Sequence, residues 1–401
     1  MNDTVNSKQP LLRVISVLIG GLPYRDRMSM LYALDQHVAE HIIITRDNAG
    51  AIPYMHNTHV IKPWVRLPWF LFSLWAGVVS VCKIHKSSEK SPWIVVEDFH
   101  KYGLWIVKYF CSNRAITVSS QVMECGSRWN KDPYIGCVSK KQACRYNACF
   151  RGNSRHFKAL AKAMNAMLVN GEGIKEDILA LAPAARVCVI PNSATLLDHG
   201  PNHSFKVSRD NGVMFLYVGA MQPLKGIGTL LEGFTRFVKS HPNDRLVMVG
   251  RVHSVDRIWF AKIMDCYRNN KQITYMQQMQ PTEISAVFEK ADVFLFPSFT
   301  EGAPRVINEA LAYGLPIIAS DIPSIRTIDP EGMAIQYFQP GNIVEMNTQM
   351  NNVSDNIDVR ISLSKQAQKL SLEFTHEKVA ARHSVFYKEL LQDFSYYKNI
   401  A

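Results

Sequence analysis

The chain has 401 residues, of which 47% are hydrophobic and 20% are charged, and its Lys and Arg residues outnumber Asp and Glu by 45 to 34, for a net charge of +11. This length exceeds the size at which one hydrophobic core stops growing, so two domains are expected in an ordinary soluble composition. The Lys and Arg residues are scattered without a helix-turn-helix, RNP or zinc-finger pattern, which argues against a nucleic-acid partner. An anionic membrane surface or a diphosphate-bearing partner fits the charge better.

The first predicted strand, Leu12–Ile19, ends at Gly20 and Gly21. This apolar run is too short, and too directly followed by the two glycines, to be a signal peptide. Glycines at the end of a strand let the backbone approach a ligand closely. We therefore predict that Gly20 and Gly21 belong to a ligand-binding loop.

The longest apolar run, Leu67–Cys82, falls short of the ~20 residues that span a bilayer, so a cytoplasmic location is expected. Two interpretations of its aromatic part, Trp64–Trp75, stay open. Flanked by Lys62 and Lys83, it could lie in a membrane interface. The alternative is a buried helix of the N-terminal core, because continuous apolar runs of this length usually belong to cores.

The first half of the chain alternates short apolar runs with helical patterns, which predicts a parallel sheet. After the first strand, the candidate strands are His41–Thr45, Trp93–Glu97, Ala115–Ser119, Met167–Asn170 and Val187–Ile190. His100 follows one of these strands and can exchange protons near neutral pH, with Asp98 placed to orient it. His100 is therefore a candidate catalytic residue, although a loop histidine with a local hydrogen bond explains the pattern equally well.

Four of the eight cysteines fall within twenty-five residues, at Cys125, Cys137, Cys144 and Cys149. A chain in a reducing compartment is not expected to hold disulfides, so the cluster raises the question of a structural zinc site. The intervals do not form paired Cys-x-x-Cys motifs. Structural zinc and unlinked thiols both remain open.

The stretch Ser193–Gly212 is polar and aperiodic, and we predict that it is a hinge. Six further strands at the spacing of a Rossmann-like domain follow it. They are Phe215–Val218, Arg245–Val249, Ile273–Met276, Asp292–Phe296, Leu315–Ala319 and Met333–Phe338.

The strand Asp292–Phe296 leads into a predicted helix that starts at Pro304 and ends at Gly314. The first amides of this helix would point toward the crevice at the strand ends, where the helix dipole favours an anion. We therefore predict a phosphate site. Its amides would come from Ala303, Arg305 and Val306.

Two carboxylates and one ammonium group surround this predicted phosphate site. Glu301 precedes the helix and Glu309 lies about one and a half turns inside it, so they cannot act as one acid–base pair. We predict that they accept hydrogen bonds from hydroxyls on either side of a diphosphate, one from a sugar and one from a ribose. Lys225, on a Pro-Leu-Lys-Gly turn, would neutralise the diphosphate.

This stretch resembles the donor-binding signature of family 4 glycosyltransferases, in which two glutamates are separated by seven residues. The resemblance continues through Phe215–Gly226, Val189–Asn192 and Phe374–Ala380, and it is strong over residues 165 to 390. It implies a GT-B fold of class α/β, with two Rossmann-like domains facing each other across a cleft. It also implies a UDP- or GDP-sugar donor and transfer with retention of anomeric configuration.

The resemblance assigns further roles and also shows departures. It implies that the loop with Gly20 and Gly21 lies near the donor phosphates, and that Arg251 belongs to a loop that holds the base. The arginine that commonly follows the strand glycine is Ala220 here. The histidine that the family often carries after the strand Ala115–Ser119 is also absent, so His100 is its substitute by hypothesis only. No Asp-x-Asp motif occurs in a suitable place, so no catalytic metal or other cofactor is expected.

The predicted domains are residues 1–192 on the acceptor side, a linker at 193–212, a nucleotide-sugar domain at 213–375, and a C-terminal helix at 376–401 that packs back on the first domain. The resemblance implies a retaining hexosyltransferase that acts on a saccharide or lipid-linked oligosaccharide acceptor. Its product would be a cell-surface polysaccharide such as lipopolysaccharide, O-antigen or capsule, made at the inner face of the plasma membrane. The alternatives are a catalytically silent, nucleotide-sugar-binding partner subunit and sugar transfer to a nucleic acid.

Overall fold

The computed structural model describes most of the chain, with gaps in the N-terminal half and before the second sheet. The described residues are 11–18, 31, 33–46, 56–65, 67–88, 91–98, 102–121, 155, 158–194, 212–277, 279 and 281–400. Gly20, Gly21, His100 and the clustered cysteines Cys125, Cys137, Cys144 and Cys149 lie outside the described residues, as does most of the predicted hinge.

The N-terminal sheet contains seven parallel strands within the described part of the chain, in the spatial order β3-β2-β1-β4-β5-β6-β7. Its inner strands are apolar on both faces because helices cover the sheet on each side. The strands are β1 (Arg13–Leu18), β2 (Glu40–Thr45), β3 (Thr58–Ile61), β4 (Trp93–Asp98), β5 (Ala115–Gln121), β6 (Ala166–Val169) and β7 (Val187–Val189). The helices with defined bounds are α1 (Trp69–Lys86), α2 (Tyr102–Cys111) and α3 (Glu172–Leu181).

The C-terminal sheet contains six parallel strands in the order β10-β9-β8-β11-β12-β13. These strands are β8 (Met214–Val218), β9 (Arg245–Val249), β10 (Ile273–Met276), β11 (Val293–Phe296), β12 (Ile317–Ser320) and β13 (Ile335–Phe338). Its helices are α4 (Ile227–Phe237), α5 (Arg257–Tyr267), α6 (Pro281–Lys290), α7 (Arg305–Ala312), α8 (Pro323–Arg326), α9 (Ile343–Asp355) and α10 (Ile357–Ser371). All six strands predicted in this half are present, with shifts of one or two residues at some ends.

Both sheets have the strand order of a Rossmann-like domain, so the predicted α/β class with two such domains is confirmed. In each sheet the order reverses at one point, between β1 and β4 and between β8 and β11. Ligands of open parallel sheets bind at the carboxyl ends of the strands at this switch point. The second switch point therefore marks the place to look for a site.

A last helix, α11 (His376–Ile400), links the two halves. Its residues Val379, Ala380, Phe386 and Leu390 are buried in one cluster with residues of β1, β4 and β5. Alternate residues of β1 and β4, such as Ile15 and Val95, face a second cluster on the opposite side of the sheet. Helix α11 thus covers one face of the N-terminal sheet. The predicted domain limits stay predictions, because residues 195–211 are outside the described part.

Helix α1 contains most of the aromatic segment, and it is buried on one side and exposed on the other. Phe72, Ala76 and Ile84 are buried against the sheet, whereas Leu71 and Leu74 are exposed. The helix is therefore anchored in the core on one side and apolar on the outer side as well. Within the described residues, no helix has the length and apolar composition needed to cross a bilayer.

Helices α1 and α2 pack closely through a pair of glycines. A Cβ atom on Gly77 would lie 2.7 Å from the Cα atom of Gly103, so neither position has space for a larger residue. The buried carboxylate of Glu97 joins the same contact, since it accepts hydrogen bonds from the hydroxyl of Ser73 and from the amide of Leu104. These contacts fix both helices on the same face of the sheet.

Candidate functional site

The site is built at the carboxyl ends of β8 and β11. Strand β11 is fully buried, and the loop that follows it leads into α7. The helix begins at Arg305 rather than at the predicted Pro304, because Pro304 has an extended backbone with ψ of 99° and serves as the N-cap. The amides of Arg305 and Val306 occupy the first turn, where the helix itself offers no acceptor. Ala303 precedes the helix, so its amide is not part of the first turn.

The C-terminus of α7 ends as predicted. Gly314 has a φ of +67°. Its amide donates to the carbonyl of Leu311 at 2.9 Å, and the amide of Leu315 donates to that of Ala310 at 3.0 Å. This is a Schellman motif, which needs the left-handed conformation that glycine adopts at low cost. Both ends of the helix are thus fixed, and its N-terminus is directed at the crevice.

Lys225 and Glu301 form an ion pair across the switch point. The Nζ atom of Lys225 lies 2.7 Å from Oε1 of Glu301, and the side chains are 25% and 10% exposed, respectively. The hydroxyl of Ser298 also lies 2.7 Å from the same carboxylate oxygen. The two predicted donor-site residues are therefore brought together, and the half-buried ammonium group stays accessible from the crevice.

The loop that carries Lys225 is held against the loop after β11. The amide of Phe299 donates to the carbonyl of Leu224 at 2.9 Å. Gly226, with a φ of +70°, closes the 3₁₀ turn Pro223–Lys225. A Cβ atom at this position would lie 1.9 Å from the carbonyl oxygen of Pro297, so only glycine fits. The position of Lys225 is thus set by backbone contacts between the two loops.

Tyr217 lies beneath the ion pair and was not predicted from the sequence. Its ring is fully buried, and its hydroxyl donates to the carbonyl of Ala220 at 3.1 Å. Burial, reinforced by the negative charge of Glu301, raises the pKa of this hydroxyl well above its ordinary value. Tyr217 therefore stays neutral and orients the loop that holds Ala220.

Arg251 lies at the end of β9, next to the loop after β8. Its carbonyl accepts a hydrogen bond from the amide of Met221 at 3.0 Å, and its exposed side chain contacts His253 at 3.3 Å. Gly250 allows this approach, since a Cβ atom there would lie 1.8 Å from the carbonyl oxygen of Gly219. Arg251 is thus placed at the crevice, at the same sheet edge as Lys225.

Asn192 connects α7 with the N-terminal half of the chain. Its side-chain amide donates to the carbonyl of Ala303 at 3.2 Å. Its own carbonyl accepts from the side-chain amide of Asn308, on α7, at 2.7 Å. Its side-chain oxygen accepts from Asn170 at 3.2 Å, at the end of β6. The orientation of α7 is therefore tied to the first sheet by three hydrogen bonds.

A second contact lies beside this asparagine cluster. The amide of Glu172, at the start of α3, donates to the hydroxyl of Thr327 at 3.0 Å. A Cβ atom on Gly171 would lie 2.4 Å from the carbonyl oxygen of Gly302, so the two halves approach closely next to the donor-site loop. Neither Asn308 nor Thr327 was predicted as a functional residue, because their partners are more than a hundred positions away.

We expect the substitution Asn308→Ala to weaken ligand binding at α7 modestly while the fold survives. It leaves the half-buried carbonyl of Asn192 without its Asn308 donor, at a cost of about 1 kcal/mol. Thermal unfolding should show a small decrease in melting temperature. Calorimetric titration with a nucleoside diphosphate should show severalfold weaker binding, because α7 is no longer held in orientation. Unchanged affinity alongside the lower melting temperature would mean that the bond stabilises the fold only.

Of the remaining predicted site residues, two lie in the described part of the chain and three lie outside it. Arg305 and Glu309 are half-buried on α7, and each makes interactions of its own. Gly20, Gly21 and His100 follow β1 and β4, whose carboxyl ends flank the first switch point. No group of three or more His, Cys, Asp or Glu side chains within the described ranges is arranged to hold a metal ion.

Residues 201–371 match the sequence model of a protein family, the glycosyl transferases group 1. A curated relative, the alpha-monoglucosyldiacylglycerol synthase of Acholeplasma laidlawii, is 27% identical over 183 residues, which is 46% of this chain and 45% of that protein. The chain thus spans about half the length of this relative. The family match, by contrast, covers the strands of the second sheet and α7.

Solved structures extend the similarity to the whole fold. Sucrose-phosphate synthase from Thermosynechococcus elongatus superposes with a TM-score of 0.71 over 95% of this chain and 100% of that one, at 15% identity. HepE from Anabaena, in complex with UDP and glucose, superposes with a TM-score of 0.65 over 94% and 100%, at 13% identity. The fold is therefore that of the GT-B proteins.

Proposed function

We propose that the protein is a retaining glycosyltransferase that moves a hexose from a UDP- or GDP-sugar to a saccharide or lipid-linked saccharide. The pairing of Lys225 with Glu301 at the second switch point carries this proposal. A half-buried ammonium group, a carboxylate and a helix N-terminus lie at this switch point, and each can bind one part of a sugar diphosphate. The UDP and glucose bound to HepE, a protein of the same fold, support the ligand class.

The donor would bind with its diphosphate at the N-terminus of α7. Lys225 would exchange its partner Glu301 for the diphosphate, and Glu301 would then accept a hydrogen bond from a sugar hydroxyl. Glu309 would accept one from the ribose. After this exchange the diphosphate is paired with the ammonium group of Lys225, and the carboxylate of Glu301 is hydrogen-bonded, as buried polar groups require. Arg305 and Arg251 add positive charge at the same edge.

Catalysis would be mainly electrostatic. The bond between the anomeric carbon and the diphosphate oxygen breaks, and the acceptor hydroxyl attacks from the same face. Its proton passes to the leaving diphosphate oxygen. Lys225 and the amides of α7 stabilise the negative charge that develops on this oxygen in the transition state. The chain thus needs no side chain that forms a covalent bond to the sugar.

The acceptor would enter from the N-terminal half. The loops after β1 and β4, with Gly20, Gly21 and His100, are its proposed contacts. The name of the relative from Acholeplasma laidlawii refers to a sugar-bearing lipid, which supports a lipid-linked acceptor here. Building of a cell-surface polysaccharide at the inner face of the plasma membrane is the pathway that we propose.

A panel of UDP- and GDP-sugars, tested for hydrolysis and then for transfer to lipid-linked acceptors, tests this function. NMR of the product should show the same anomeric configuration as in the donor. An inverted product would overturn the retaining mechanism. Nucleotide binding without hydrolysis or transfer of any sugar would favour the silent partner subunit, a reading to which Ala220 in place of the usual arginine gives some support.

The substitution Glu309→Gln should weaken donor binding about fivefold. The amide keeps the shape and one acceptor oxygen, but it loses the charge, and a charge-assisted hydrogen bond is roughly twice as strong as a neutral one. Titration with the preferred nucleotide measures this effect. Glu331→Gln, an exposed glutamate in the same domain, is the matched control and should bind as the unmodified protein does. Equal affinity in both variants would remove Glu309 from the donor site.

A further inference from the structure

The outer sides of α1 and α2, together with the segment just before α1, form an apolar surface in the N-terminal half. It contains Trp64, Leu71, Leu74, Val78, Tyr109 and Phe110, all of which are exposed. Trp64 is fully exposed, and Tyr109 is 82% exposed. Among the described side chains, the exposed aromatic rings all belong to residues 64–110. Such a concentration marks an interaction surface, since isolated exposed apolar residues are ordinary but contiguous ones are not.

The two helices present this surface in one direction. Phe72 of α1 and Leu104 of α2 are buried in the same cluster, on the same face of the N-terminal sheet. The sides of the helices that point away from the sheet therefore face the same way. On α1 the exposed positions 71, 74 and 78 follow the helical repeat, so they make a continuous stripe. We name the six residues given above the outer face.

The charges around the outer face identify its partner. Neither α1 nor α2 contains an Asp or Glu residue. Lys83 and Lys86 are exposed in the last turns of α1, and Lys108 lies in α2. Aromatic rings beside basic residues, with no carboxylate, suit the boundary between lipid headgroups and acyl chains. A second copy of this chain would bring like charges together across a two-fold interface, which is unfavourable.

We propose that the outer face binds the surface of an anionic membrane, with the aromatic and leucine side chains inserted among the headgroups. Helix α2 starts just after β4, whose carboxyl end lies at the first switch point. Helix α2, which carries Tyr109 and Phe110 in its last turn, is thus joined to the proposed acceptor contacts by one short loop. The outer face would be the part of the chain that meets a lipid-linked acceptor. The lipid-linked acceptor rests on the proposed function, whereas membrane binding rests on the exposed residues themselves.

Sedimentation with vesicles tests the proposal. The full chain should bind vesicles of phosphatidylcholine mixed with phosphatidylglycerol, and bind phosphatidylcholine alone weakly. Salt should reduce the binding, because exposed charges are screened beyond ~10 Å at 0.1 M. Each lysine near an anionic surface increases the affinity for the membrane about fivefold. The double variant Lys83→Gln with Lys86→Gln should therefore bind anionic vesicles about 25-fold less tightly. The matched control is Lys239→Gln with Lys262→Gln, two exposed lysines of the C-terminal half.

A second variant tests insertion. Trp64→Ser with Tyr109→Ser should lose the binding that persists at high salt, while Ile258→Ser with Val344→Ser, exposed apolar residues of the C-terminal half, should retain it. Melting temperatures measured alongside should stay unchanged, because none of these side chains is buried. No binding to anionic vesicles by the full chain, or equal binding by the variants and their controls, would overturn the proposal. So would a dimer in analytical ultracentrifugation that the Trp64→Ser and Tyr109→Ser variant dissociates.

Donor hydrolysis, measured on the same preparations, separates this proposal from the proposed function. If the surface variants lose vesicle binding and keep donor hydrolysis, both proposals are supported. If the chain binds vesicles as expected but hydrolyses no sugar nucleotide, the proposed function fails and the membrane surface stands. If it hydrolyses a donor and does not bind vesicles, the membrane surface alone is overturned.

Discussion

The substitution Lys225→Ala should weaken binding of a nucleoside diphosphate tenfold to a hundredfold and reduce sugar transfer further. A charge-assisted contact of this kind is worth about 1.5–3 kcal/mol in binding. Transfer depends on it more strongly, since the charge on the leaving diphosphate is largest in the transition state. Calorimetric titration measures the loss of diphosphate affinity. The specificity constant kcat/KM for the donor measures the loss of sugar transfer.

The double variant Lys225→Ala with Glu301→Gln sharpens this prediction. When Lys225 is removed alone, the carboxylate of Glu301 keeps the hydroxyl of Ser298 as its hydrogen-bond donor within the described residues, and it repels the diphosphate. Neutralising it should restore part of the affinity. Lys239→Ala, at an exposed position, should leave binding unchanged. Unaltered nucleotide affinity in the single variant would exclude Lys225 from the donor site.

Acidification should destabilise the N-terminal sheet through His41. This side chain is fully buried, and desolvation lowers its pKa from 6.5 to about 4. Above pH 6.5 the ring is neutral in the folded and unfolded chains alike. Between these two values only the unfolded chain binds the proton, so the free energy of unfolding decreases by about 1.4 kcal/mol per pH unit. The total loss by pH 4 should be about 3 kcal/mol.

The surroundings of the ring explain this direction. Its Nε2 atom lies 2.9 Å from the hydroxyl of Ser16, while its Nδ1 atom is buried without a hydrogen-bond partner in the described structure. A second proton would thus be buried without an acceptor. Urea unfolding of His41→Leu should show a weaker pH dependence than the unmodified protein, and His59→Gln, exposed on the adjacent β3, should not. Equal pH dependence in His41→Leu would contradict the assignment.

Strands β8, β9, β11 and β12 could be predicted from the sequence because each is a mostly buried, apolar run bounded by loop residues. β3, Thr58–Ile61, could not. It is a short edge strand whose residues are exposed or half-exposed, so it carries no continuous apolar run. The start of α7 was predicted one residue early, since proline is compatible with both the N-cap and the first helical position.

Single residues of the candidate site could be predicted from the sequence, but the contacts between them could not. Lys225 and Glu301 could each be proposed from local motifs, yet their ion pair joins positions 76 apart. The bonds of Asn192 with Asn308 and Ala303 depend on how two domains meet, which no local pattern records. Tyr217 appears in the sequence as one more apolar strand residue. The two interpretations of α1 could not be separated for a similar reason. A helix that is apolar all round does not show in its sequence which side packs against the sheet.

Helix α11 has a consequence for the order of folding during synthesis. Domains generally fold from the N-terminus as the chain leaves the ribosome. Here Val14 of the first strand is buried in one cluster with residues 379–391, which are translated after both sheets. Part of one face of the first sheet must therefore stay uncovered while the residues between the end of β7 at Val189 and the start of α11 at His376 are made. The nascent chain thus has a long interval in which an apolar sheet face is open to chaperones or to aggregation, and the second domain has time to complete its core first.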